Sequence, residues 1–312
     1  MKPKNKYIYL FLGWTLLFVS IQGCLPERTE TPTKGRITVV AAESVEPLMQ
    51  QEKEKFEGIY TGAHIEMLFS SSREAIARFF NDSIRIIVTS RPMNKEERSV
   101  AEKFKIDLQE FKIAIDGIAF LVNADNPILQ IRTTQLDSIY AGLITRWNQV
   151  GGKNVPIDLF LPDQNSGNFE IVRMKILKEK KYQAPANTIK SSEEMLKIVS
   201  SHPNALGIVG LNWLSQKKDN VTVLKLSDPN APDSLGTKGL YFAPLQAHVY
   251  RNYYPVTRDV FIYSRVDMYS VGAGFISFIT SAPGQQLVVY NGLVPATMPI
   301  RLVELSNKGL QP

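Results

Sequence analysis

The sequence predicts an α/β fold built around parallel sheet, and three observations carry this. Short apolar runs alternate with stretches of helical periodicity along most of the chain. Gly, Pro and Asn punctuate the boundaries between them. The 312 residues are 44% hydrophobic and 21% charged, which suits a packed globular body and excludes wholesale disorder or a fibrous repeat. Strands that alternate with helices need crossover connections, and these favour parallel pairing.

The elements follow in order. Residues 37–41 (ITVVA) form a short apolar strand, and 45–56 a helix with Leu48, Met49, Glu52 and Phe56 at helical spacing. Residues 64–69 alternate as a strand, 73–80 are helical, and 85–89 (RIIVT) are a strand again. A helix over 95–104 leads to a long strand over 113–122. Helix 134–140 ends at Ala141-Gly142, and Gly151-Gly152 marks a further turn. Strand 157–161, helix 169–180, helix 192–200 and strand 205–209 continue the alternation. Residues 221–226 read as one strand and 227–239 (SDPNAPDSLGTKG) as a loop. Strand 259–263 and helices 272–280 and 284–290 complete the body.

The first residues read as a targeting segment. Lys2, Lys4 and Lys6 precede the apolar run 7–21 (YIYLFLGWTLLFVSI), which is shorter than the roughly 20 residues of a spanning helix. The run ends Ile21-Gln22-Gly23-Cys24, which resembles a bacterial lipobox, so Cys24 is expected to carry lipid and become the mature N-terminus. The bland alternative is an uncleaved anchor ending in a buried Cys. Residues 24–35 are polar with two Pro and read as a tether. Residues 1–23 hold three Lys and no acid, so the mature chain keeps 33 basic and 30 acidic residues. No Lys/Arg-rich tract remains to suggest nucleic acid.

Several chemistries find no residues here. Cys24 is the single cysteine, which excludes an intramolecular disulfide and a multi-Cys metal site. His64, His202 and His248 stand far apart, without metal-ligand spacing. No GxSxG motif, P-loop or Ser-His-Asp order appears, and neither an enzyme nor a cofactor is expected.

The informative feature is a serine that repeats at strand-to-helix junctions. Ser44 follows the first strand, Ser70-Ser71-Ser72 the second, and Ser166-Gly167-Asn168 the strand at 157–161. In α/β sheets ligands collect at the carboxyl ends of strands. A helix N-terminus offers unpaired N–H groups and a partial positive charge, which suit an oxyanion, and serine adds a donor. Serine is also an ordinary N-cap, and Ser71-Ser72-Arg73-Glu74 reads as a capping box.

At this point the chain resembles a known family, the periplasmic phosphate-binding proteins of phosphate ABC transporters (PstS-like, type 2 periplasmic binding fold). The resemblance spans about residues 36–305. Val88-Thr89-Ser90-Arg91-Pro92-Met93 resembles the family's SRPL turn, and 116–123 (DGIAFLVN) its DGIAVIVN strand. Residues 135–152 (QLDSIYAGLITRWNQVGG) are similar to its QL..IF.G.I..W..VGG segment, and 204–211 (NALGIVGL) to GAIGYVG. Residues 254–259 (YPVTRD) and Pro283-Gly284-Gln285 close the pattern.

The resemblance implies a two-lobed clamshell, each lobe a mainly parallel sheet flanked by helices. Lobe one takes 36–115 and 248–305, lobe two 116–247, and 306–312 form a tail. The ligand, phosphate or another small oxyanion, sits in the cleft and passes to an ABC permease. The implied protein is a monomer on the periplasmic side of the cell envelope, held to the membrane by its lipid. The alternative is an envelope interaction or sensor protein that keeps the fold with altered or lost phosphate binding. By the same resemblance the family's first-loop Thr falls on Ser44, its second-loop Ser on Ser71 or Ser72, and its Ser-Gly-Thr on Ser166-Gly167-Asn168. Two positions depart: the family's Asp before the SR turn is Arg85, and its Arg before Ser-Gly-Thr is Pro162. Arg85 either faces the cleft and pairs an oxyanion bidentately, or reaches solvent or an acid such as Asp82, Asp163 or Glu74. Arg73 is a second candidate from its helix start. Trp147 and Asp116 are read as packing and lobe crossover, and Arg91 as a structural ion-pair partner.

Overall fold

The computed structural model describes residues 30–81 and 84–299. The expected signal peptide, Cys24, Asp82 and the tail lie outside them. The chain runs β1 (Lys34–Ala42), a 3-10 turn (Glu43–Val45), α1 (Glu46–Ile59), β2 (Gly62–Ser70), α2 (Ser72–Phe80), β3 (Ile86–Thr89), α3 (Lys95–Lys103) and β4 (Gln109–Asn123). There follow β5 (Gln130–Arg132), α4 (Thr133–Tyr140), β6 (Asp158–Pro162), α5 (Gly167–Lys175), β7 (Asn187–Ile189), α6 (Ser192–Ser201) and β8 (Ala205–Gly210). The last elements are β9 (Val221–Val223), β10 (Lys225–Ser227), α7 (Gln246–Tyr250), β11 (Thr257–Ser264), α8 (Val271–Thr280), α9 (Ala282–Tyr290) and β12 (Val294–Pro295).

One sheet path joins the strands in the order β2-β1-β3-β11-β4-β8-β6-β7, with β9 and β12 also on β4. Its two wings are parallel, as the alternation predicts: β1 pairs β2 and β3, and β6 pairs β7 and β8. The middle is not. β11 runs antiparallel to β3 and β4, and β4 antiparallel to β8. The long β4 explains this. Its Ile113 and Ala114 pack in a core with β1, α1 and α8, while Ile118 to Val122 pack in a second core with α4, α5 and α6. A strand shared by two cores carries the chain out, and β11 carries it back. Val249, Tyr254 and Val256 pack in the second core.

Three expectations need correction. The helix expected over 169–180 ends at Lys175, because Lys178 and Glu179 take φ of 50° and 70°, outside right-handed helix. The single strand expected over 221–226 is two, split at the fully buried Leu224: β9 joins β4, and β10 joins β5 in a separate ribbon. The end of the expected tether is docked, since a Glu30 carboxylate oxygen accepts the Val271 N–H at 3.0 Å at the start of α8.

One inward position of α1 is acidic. Glu52 is fully buried on the same face as Leu48, Met49 and Phe56, and neither carboxyl oxygen has a hydrogen-bond partner among the described residues. Burial pushes its pKa from 4.5 up to about 9. In the unfolded chain the group ionises as pH rises past 4.5, while in the folded chain it holds its proton. The unfolded state therefore binds fewer protons across that window, and stability falls as pH rises from 4.5 towards about 9. Glu52→Gln, neutral throughout, is expected to gain on the parent progressively across the window. Urea denaturation at several pH values checks this, and a pH-independent difference between the two proteins would rule it out.

Candidate functional site

Four chain segments leave the carboxyl ends of β1, β2, β6 and β7 and meet at one place. Three of them start helices of eight residues or more, each with a serine cap. The Ser71 Oγ accepts the Glu74 N–H at 3.2 Å, the Ser166 Oγ accepts the Asn168 N–H at 3.2 Å, and the Ser191 Oγ accepts the Glu194 N–H at 3.1 Å. A capping serine oxygen still has its own proton to donate. The expected capping box at Ser71 is only half made, because the Glu74 carboxylate turns to Arg78 at 2.5 Å.

These starts surround a cavity of about 190 Å³ lined by seven serines: Ser44, Ser70, Ser71, Ser72, Ser166, Ser191 and Ser192. Asn168, Phe69, Pro162, Met195 and Ile208 complete most of the wall. The structure thus brings together Ser44, Ser71, Ser72, Ser166 and Asn168 from the sequence prediction. Both Ser71 and Ser72 line the cavity. Gly167 stands at the seam behind, where the two halves touch: a Cβ there would lie 2.2 Å from the Ser90 Oγ and 3.0 Å from the Ser72 Oγ.

Behind the wall lies a fully buried polar network. The Ser44 hydroxyl donates to the Ser90 Oγ at 2.9 Å, and Ser72 and Ser90 hydroxyls meet at 3.1 Å. Arg258, on β11, donates from Nη1 to the Ser44 Oγ at 3.3 Å and to the Asn168 Oδ1. Its Nη2 and Nε reach the Asp116 Oδ2 at 2.6 and 3.0 Å, while Oδ1 of the same carboxylate accepts the Leu211 N–H at 2.9 Å. Arg258 and Asp116 side chains have no exposed surface. One guanidinium thereby holds Ser44 from one half and Asn168 from the other.

Sequence reasoning missed Arg258 as a site residue. The signal was available, since Arg258 alternates with Val260 and Ile262 on the inward face of β11. It also missed Glu43, Ser191, Ser192 and Lys190, which line the cavity. The short β7 that delivers the last three carries almost no periodicity in three residues.

Two predicted arginines lie elsewhere. Arg85 is exposed and precedes β3, at the strand's amino end, whereas the cavity is at the carboxyl ends. Arg73 is exposed too, and its Nη2 pairs the Glu170 Oε1 at 3.0 Å on α5. Arg91, nearly buried, holds Glu97 through two bonds of 2.8 Å and also meets Glu170. Glu170 is therefore an ionic clasp between α5 and the half that carries Arg73 and Arg91, with the Arg73 N–H reaching the Asn165 carbonyl at 3.4 Å beside it. Trp147 is packed at 1% exposure and donates its indole N–H to the Asn204 carbonyl at 2.9 Å.

The cavity wall brings hydroxyl donors and helix N-termini, which suit a small ligand rich in oxygen. Among the described residues no group of three or more His, Cys, Asp or Glu is placed to hold a metal ion. No helix among them is long and apolar enough to cross a membrane.

Known proteins share this architecture. The family model described as the PBP superfamily domain matches residues 26–283. A phosphate-binding protein PstS of Staphylococcus aureus (strain USA300) is 24% identical over 280 residues, covering 88% of this chain and 83% of the relative. Among solved structures, a candidate phosphate ABC transporter substrate-binding protein of Clostridium perfringens, with bound phosphate, superposes with a TM-score of 0.73 at 24% identity. It covers 84% of this chain and 100% of its own. An ABC-type phosphate transport receptor of Vibrio cholerae gives 0.64 at 23% identity, with the same coverage.

Proposed function

The chain belongs to the PBP superfamily domain family, and from that premise we propose that it is a solute-binding protein that captures phosphate or a related small oxyanion for an ABC permease. The observation that carries this is the ring of serine hydroxyls and helix N-termini around one cavity between two cores. Such donors are prepaid at folding, so an incoming oxyanion finds its hydrogen bonds already aimed. The PstS name of the Staphylococcus aureus relative supports phosphate in particular.

The two halves divide at β4 and β11. Residues 36–115 with 257–299 form one, and 116–256 the other. Closing them around ligand is a hinge motion, and the Glu170 clasp and the Gly167 contact belong to the closed form. On this reading the protein binds its ligand without turning it over. Cys24, lipid-modified, would hold the protein at the periplasmic face of the envelope as a monomer.

Calorimetric titration of the ligand-stripped protein with phosphate and sulfate tests this. Micromolar or tighter binding of phosphate is expected, with a measurable enthalpy. Absence of binding by either anion would overturn the reading.

A further inference from the structure

The cavity wall contains three charged side chains, Glu43, Asp163 and Lys190, so acids outnumber cations there. Lys190 is exposed at the rim. Arg258, a buried cation nearby, already holds Asp116. For a cavity whose donors suit an anion, this is the reverse of the expected balance.

Glu43 shows where the imbalance acts. It sits in the 3-10 turn directly after β1, next to Ser44. Its Oε1 accepts the Ser192 N–H at 2.6 Å and its Oε2 accepts the Ser192 hydroxyl at 3.2 Å. Ser192 is the first residue of α6, on the opposite wall. These are one backbone donor and one hydroxyl donor at a helix start, the pair an oxyanion would use there. The chain's own carboxylate already has them.

Building on the oxyanion reading, we propose that Glu43 is a built-in competitor for the ligand. Its carboxylate takes the α6 donors in the free protein, and an oxyanion gains them only when Glu43 swings away or takes up a proton. The contact also joins the two halves, so it biases the free protein towards closure without ligand.

The electrostatic surroundings are consistent with this. Burial raises the Glu43 pKa above 4.5, opposed by the two Ser192 bonds; Glu46 on α1 raises it further, and Arg258 on β11 lowers it. Glu193 on α6 faces Glu46, and Asp163 and Lys190 face the cavity itself. β8 and the 3-10 turn Leu211–Gln216, which also pack on this turn, bring no charged side chain. A carboxylate whose pKa is raised gives up its charge sooner as pH falls than an ordinary one, so oxyanion affinity is expected to rise as pH falls.

The test compares the parent protein with Glu43→Gln and Glu43→Ala, titrated with phosphate and with sulfate between about pH 5 and pH 8. Sulfate serves because its own charge is constant over this range. Both variants are expected to bind about tenfold tighter or better near neutrality. They are also expected to lose the parent's gain in affinity on acidification. Equal or weaker binding by the variants overturns the proposal and leaves the oxyanion reading standing; weaker binding would make Glu43 an acceptor for a proton on the ligand. A second readout needs no ligand. The Ser192 amide resonance of the parent should follow a titration with its midpoint above 4.5, absent in Glu43→Gln. A Ser192 amide insensitive to pH also overturns the proposal. If all three proteins ignore both anions while Ser192 still titrates, the oxyanion reading itself falls and the competitor falls with it.

Discussion

Arg258→Ala is expected to lower the folding free energy by about 3–5 kcal/mol, the usual loss when one partner of a buried ion pair is removed. The reason is what remains. Asp116 has no exposed surface, and without the guanidinium its carboxylate keeps, among the described residues, the Leu211 N–H as its one neutral donor. The Ser44 and Asn168 side chains lose their shared donor in the same step. A double variant, Arg258→Met with Asp116→Asn, should recover more than half of the loss. It removes both charges while Asn can still accept from Leu211. Chemical denaturation of the three proteins decides it. A loss below about 1 kcal/mol for the single variant, or a double variant no better than the single, would show that the pair is not held as the geometry describes.

The same residue shows how far the sequence could be read. Strand and helix alternation told of α/β architecture, because the periods of two and of 3.6 are printed in which residues are apolar. Serines at strand ends told of a donor-lined site, because caps must lie at chain positions next to their helices. Both are local signals. What stayed hidden is non-local. Arg258 meets Asp116 across 142 residues, and Glu43 meets Ser192 across 149. No spacing rule connects such pairs. Arg85 is a different case. It opens its expected strand, and the rule that ligands collect at the carboxyl ends already points away from it, so the cleft-facing alternative rested on the resemblance alone. The antiparallel centre of the sheet was equally unreadable, since one long apolar strand looks the same whether it serves one core or two.

Gly167→Ala is expected to weaken oxyanion binding by roughly ten- to a hundredfold while leaving the folding free energy within about 1 kcal/mol of the parent. The added methyl would lie 2.2 Å from the Ser90 Oγ, far inside contact distance. Ser90 cannot easily turn aside, because its hydroxyl is held by both Ser44 and Ser72. The Ser72 Oγ at 3.0 Å and the Ser90 carbonyl at 3.3 Å close the remaining space. Overpacking of this kind costs about 1–3 kcal/mol, and it falls on the contact between halves rather than on either core. Each core keeps its own residues, and Ala suits the first turn of α5 at least as well as Gly. Stability and binding therefore separate, which a core defect would not allow. Titration calorimetry gives the affinity, urea denaturation the stability, and small-angle scattering the spacing of the halves with ligand present. The variant should stay more open at saturating phosphate than the parent. Affinity within twofold of the parent, or an unchanged radius of gyration, would mean that the halves do not meet at Gly167 when ligand is bound.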